Sequence, residues 1–73
     1  MKLPENVGKT AIVDTMHEWV IGRNAMRNKE IFVRKVLEGA TFELVGEEYE
    51  LTDRQVKNIV YKVLDIICAH IPN

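Results

Sequence analysis

Apolar residues recur at helical spacing through most of this chain, and short polar or glycine-bearing breaks divide that pattern into three stretches. In the first, Val7, Ala11, Ile12, Met16, Trp19 and Val20 fall three or four apart, which puts them on one face of a helix over 7–21. Gly8 weakens its start and Gly22 is a natural terminator. On that stripe Trp19 reads as a core anchor. Residues 1–6 read as a frayed lead-in, with Pro4 tolerated at a helix start.

The second stretch carries a stripe of Ile31, Phe32, Val36 and Leu37, with Lys29, Glu30, Arg34 and Lys35 facing mostly outward. Two readings stand for its start. Asn28 can cap a helix that begins after it, or Ala25 to Arg27 are helical as well and a single helix fills 23–38. Either way Gly39 is the expected C-cap.

The third stretch, 41–71, holds most of the functional information. Val45, Tyr49, Leu51, Val56 and Ile59 fit a short helix, a tight corner and a second helix crossing the first. Thr41 can open the short helix, although the residue three further on is Leu44 and cannot complete a capping box. Thr52 is better placed: Gln55 occupies the reciprocal position and Asp53 sits in the first turn, where the helix dipole favours an anion. The second helix therefore starts at Asp53, and Tyr49, Glu50 and Leu51 make the corner with Leu51 buried in it. A left-handed backbone at Glu50 would cost roughly 1 kcal/mol relative to glycine. Gly46, having no Cβ, leaves room for the close approach such a corner needs.

From Asp53 the apolar positions Val56, Ile59, Val60, Val63, Leu64, Ile67 and Ile71 continue a helix to His70 or Ile71, where Pro72 ends it. Ile66 and Cys68 widen this face beyond what two short helices cover. Either the N-terminal helix with Trp19 packs there or a second copy of the chain does, and a homodimer through the far end of this helix is expected. The sum is an all-α, single-domain bundle of four or five helices over 1–73, with a helix-turn-helix at 41–62 and a long C-terminal helix.

The run VRKVLEGATFELVGEEYELTDRQVKNIVYKVLDII resembles the C-terminal DNA-binding region, region 4, of bacterial sigma factors of the sigma-70 superfamily, and the small sigma-like regulators of phage and mobile elements. The matching positions are Leu37, Gly39, Thr41, Glu43, Gly46, Leu51, Thr52, Arg54, Val56, Ile59, Lys62 and Leu64. They lie within 31–67, just over half the chain. Gly46 stands where the family usually has alanine and Glu50 where glycine is common, which puts the interhelix angle in question. No stretch resembles the polymerase-core-binding or −10-reading regions of a full sigma factor.

The resemblance implies sequence-specific binding of double-stranded DNA in transcription regulation, with RNA polymerase or another transcription protein as a further partner. A helix entering the major groove by its N-terminal end presents Asp53, Arg54, Lys57 and Asn58 to base edges. Arginine can take guanine O6 and N7 together, asparagine or glutamine pairs with adenine, and an aspartate accepts from cytosine N4. Tyr61 and Lys62 then lie nearer the DNA backbone, Thr52 can donate to a phosphate, and Arg34 and Lys35 are candidates for flanking phosphates. Arg23, Arg27 and Lys29 are candidates of the same kind.

Charge changes this picture. Lys and Arg number 10 against 11 Asp and Glu, a net −1, whereas nucleic-acid binders are usually basic. Glu43, Glu47, Glu48 and Glu50 crowd the short helix and the corner, so few phosphates are neutralised and non-specific affinity is expected to be weak. That acidic set suits a basic protein partner, and the competing function is a protein-interaction module on the same scaffold.

Enzyme chemistry finds no constellation. His17 and Glu18 lack the second histidine of a His-Glu-x-x-His site, and two histidines with one cysteine make no recognisable zinc site. Gly8-Lys9-Thr10 lacks the glycine-rich start and preceding strand of a phosphate-binding loop. Cys68 has no partner for an internal disulfide and reads as an inert thiol. No catalytic residue, metal or cofactor is expected. No apolar run is long enough for a membrane span and no signal-peptide core follows the N-terminus, so a cytoplasmic location away from membranes is expected.

Overall fold

Four α-helices form the bundle in a computed structural model that describes residues 8–71, and none of those residues is in a strand. They are α1 (Lys9–Trp19), α2 (Ala25–Phe32), α3 (Phe42–Tyr49) and α4 (Asp53–His70), with a π-helical segment, Val33–Leu37, prolonging α2. Val7, the 1–6 lead-in with Pro4, and Pro72 lie outside the described residues.

The 18-residue α4 is the common partner of α1, α2 and α3. Its Val56, Val60, Val63 and Ile67 recur at spacings of four, three and four, and each is buried. Against them pack Ile12 and Met16 from α1, Ile31 and Phe32 from α2, and Val45 from α3. Phe32, Ile31, Val45, Val56 and Ile67 are fully enclosed. Among the described residues, one polar residue enters this core, Thr15, whose hydroxyl is satisfied by donating to the Ala11 carbonyl at 2.7 Å. Within the chain, α1 packs on the broad apolar face of α4. Ile66 packs against the core and Cys68 is half-buried within the same chain.

Helix α1 is shorter than the 7–21 expectation. After Trp19 the chain turns extended at Val20, whose N–H still donates to the Met16 carbonyl, and Gly22 follows at φ 117°. Trp19 is not a core anchor. It is 44% exposed, and its ring stacks on His70 at a centroid distance of 3.8 Å, closing the α1 and α4 ends together. Val20, the next residue and four after Met16, keeps its place on the stripe and is buried.

Between Gly22 and Gly39 the fused form holds, from Ala25 rather than Arg23. Asn28 is inside the helix and caps nothing; its side-chain oxygen accepts from Arg27 at 3.2 and 3.4 Å. The π-helical turn then shifts the stripe. In an α-helix Val36, four after Phe32, would share its face. With wider i to i+5 hydrogen bonding, Leu37 comes under Phe32 and packs on the core, while Val36 is 40% exposed. Gly39, at φ 78°, closes the segment, and Ala40 N–H donates to the Arg34 carbonyl at 3.0 Å.

Candidate nucleic-acid interface

Local chemistry sets the α3–α4 corner. Thr41 Oγ1 accepts from Leu44 N–H at 3.0 Å and opens α3. At its end Glu50 is left-handed, φ 57° and ψ 44°, and the Leu51 N–H donates to the Gly46 carbonyl at 2.8 Å. A Cβ on Gly46 would lie 2.6 Å from the Leu51 carbonyl oxygen, so the chain can double back here only over a glycine. Thr52 then caps α4 with a complete box. Its Oγ1 accepts from Gln55 N–H at 3.1 Å, and its own N–H donates to Gln55 Oε1 at 2.9 Å. A Ser or Thr cap contributes about 1 kcal/mol.

With Val56 and Val60 turned inward, the opposite side of α4 is open. Asp53, Arg54, Lys57, Asn58, Tyr61 and Lys62 are all exposed. Arg54, Lys57, Asn58 and Tyr61 fall at i, i+3, i+4 and i+7, one continuous stripe. Among the described residues, Arg54, Lys57 and Lys62 have no carboxylate at ion-pair distance. Gln55 is exposed beside them, but its carbonyl oxygen is engaged with Thr52, which leaves only its amide to read a base. Thr52 keeps its hydroxyl proton for an acceptor such as a phosphate oxygen, since as a cap it only accepts.

The expected flanking cations are placed differently. Arg34 is gripped by two carboxylates: Nε and Nη2 donate to both oxygens of Glu48 at 3.0 and 2.9 Å, and Nη1 donates to Glu38 at 2.8 Å. These bonds, Glu48 first and Glu38 second, raise the guanidinium pKa above its ordinary value and hold the charge fixed. Arg34 therefore ties the π-helical segment to α3, and the group carries more negative than positive charge. Lys35 lies over the Phe42 ring, its Nζ 4.6 Å from the centroid, a cation–π contact that leaves the ammonium only partly covered. Of the acidic set, Glu43, Glu47 and Glu50 remain on the exposed side of α3 and the corner.

Residue spacing did not reveal the Arg34–Glu48 pair, since the two are far apart in sequence; Glu38, four residues after Arg34 on a helix, was the available signal. The same holds for Tyr49, whose hydroxyl donates to Glu30 at 3.3 Å from across the bundle. Burial first, and then the Glu30 carboxylate, raise its phenol pKa.

Among the described residues no three His, Cys, Asp or Glu side chains lie together as a metal site would require, and no helix is long and apolar enough to cross a membrane. No family model, curated protein or solved structure matches this chain.

Proposed function

We propose that the chain is a sequence-specific DNA-binding regulator of transcription, with α3, the Gly46 corner and α4 acting as a sigma-like helix-turn-helix. One observation carries the reading. A capped helix, held by a corner that only glycine fits, projects an exposed stripe of Arg54, Lys57 and Asn58 with, among the described residues, no carboxylate paired to its cations. In this reading the N-terminal end of α4 enters the major groove. Arg54 takes a guanine edge, Asn58 an adenine, Lys57 a guanine edge or a phosphate, and Asp53 a cytosine amine. Thr52, Tyr61, Lys62 and Lys35 hold phosphates, and Arg34 joins them only by giving up a carboxylate. The acidic side of α3 faces a protein such as polymerase rather than DNA. The resemblance to the sigma-70 superfamily supports the same assignment.

Selection of bound duplexes from a random-sequence pool tests this. The reading expects an enriched site, and an Arg54→Ala/Lys57→Ala variant that enriches nothing. A pool that stays random with the intact protein overturns it.

A second reading rests on Arg34 and the acidic side of α3: the scaffold serves protein capture, by a transcription protein or by a second copy through the α4 end. Under it the same double variant keeps its partner.

A further inference from the structure

Gln55 and Asn58 put two side-chain amides on the exposed side of α4, one turn apart. Such an amide is ambivalent, with a carbonyl oxygen that accepts and an NH₂ that donates. The fold treats the two differently. Gln55 hooks back over the first turn, and its Oε1 accepts from the Thr52 backbone N–H at 2.9 Å. That bond fixes the sense of the amide, because an NH₂ cannot meet an N–H at this distance. Nε2 is therefore the free end, a donor with no partner among the described residues. Asn58 makes no side-chain hydrogen bond among the described residues and keeps both functions.

The place of the Gln55 amide matters as much as its sense. Drawn to the Thr52 N–H, it lies over the leading end of α4 beside Arg54, and not out along the flank toward Lys62. In the major groove adenine offers an N6 donor beside its N7 acceptor, guanine two acceptors, thymine one acceptor, and cytosine a donor. Adenine would have to share Oε1 with the Thr52 N–H, and cytosine would set one NH₂ against another. Guanine asks only for donors, which is what the held amide has left.

We infer that Gln55 is a specificity-determining residue of the DNA site, turned by its capping bond into a donor that selects an acceptor edge, guanine before thymine. Asn58, unheld, keeps adenine. This role rests on the DNA-binding reading and adds to it a base position that Asp53, Arg54, Lys57 and Asn58 do not supply.

The test is selection from a random duplex pool with the intact chain, with Gln55→Glu and with Gln55→Ala. Glutamate keeps the acceptor that closes the capping box and replaces the NH₂ by a second acceptor, so the helix start is preserved while the sense of reading is reversed. The intact chain should enrich guanine about tenfold over adenine at one position. Gln55→Glu should turn that position to cytosine, whose N4 donates, and Gln55→Ala should leave it without preference, with every other position unchanged. The added carboxylate also repels phosphates and weakens binding to all sequences, so base preference at one position is the readout. Where the glutamate variant binds too weakly to select, the alanine variant decides alone. An identical enriched site for the intact chain and Gln55→Ala overturns the assignment and leaves the DNA-binding reading standing. So does a variant-sensitive position at which the intact chain prefers adenine or cytosine. A pool that stays random with the intact chain removes the DNA-binding reading, and the role of Gln55 with it.

Discussion

Arg34, on the π-helical segment, and Arg54, in the first turn of α4, carry the same guanidinium into different surroundings. Arg34 donates three hydrogen bonds to Glu48 and Glu38 and joins two elements of the bundle. Arg54 projects from a helix capped by Thr52 and has no ion pair among the described residues. The difference teaches that counting cations along the chain does not tell which of them the fold pairs. With a net charge of −1 it does not advertise a nucleic-acid binder, yet among the described residues the cations of α4 carry no ion pair and Arg34 carries two. The acidic residues are not spread evenly; Glu48 is spent on Arg34, and its neighbours stay on α3.

The largest expected effect breaks the comparison at its exposed end. Arg54→Ala with Lys57→Ala should weaken binding of a selected duplex by about 100-fold, as loss of one base-reading arginine and one further contact implies. Fluorescence anisotropy measures this, and an unchanged far-UV circular dichroism spectrum separates it from unfolding. For the intact chain the slope of log K against log salt should be about −2 to −3, since each phosphate neutralised adds roughly −0.9 and few cations face outward.

Next comes the corner that aims the stripe. Gly46→Val places side-chain atoms against the Leu51 carbonyl and should cost about 2 kcal/mol in urea unfolding, with DNA binding lost in proportion. Glu50→Gly works in the opposite sense. It relieves a left-handed non-glycine residue and should raise stability by about 1 kcal/mol without touching the exposed face of α4.

At the paired end, Arg34→Ala should lower stability modestly and leave DNA affinity unchanged or slightly lowered, because it removes a tie between elements and uncovers two carboxylates. Its destabilisation should shrink in high salt, as expected of an exposed ion pair. The smallest effect concerns Tyr49. Its phenol pKa is raised in the folded chain, so it contributes stability that is fully present below the ordinary tyrosine pKa and is lost as pH rises through the folded value. Tyr49→Phe should flatten the alkaline limb of a stability-against-pH curve and change little at neutral pH.

The two regions also differ in how far residue patterns alone disclose them. The corner was legible because its determinants are local: Thr52 and Gln55 are three residues apart, Gly46 and Leu51 five, and each motif carries its own physical signature. The α4 register and its start at Asp53 follow from the same kind of signal. The segment before it was not legible. A π-helical turn changes the period, so Leu37 keeps its place on the core while Val36 leaves the stripe. Trp19 misled for another reason: its position on the stripe was right, but α1 ends there and the ring finds His70 from the far end of the chain. The pairing of Arg34 with Glu48 was not legible either, because Glu48 reaches it only through the tertiary fold.

The central claim is that the α4 stripe, and not Arg34, meets DNA. Amide chemical shifts of labelled protein, titrated with mixed-sequence duplex at low salt and again at physiological salt, test it directly. The account predicts shifts concentrated on residues 52–62 that weaken with salt, and an Arg34 signal that stays with Glu48. No shift on 52–62 at high DNA excess would contradict it and leave the bundle as a scaffold for protein capture.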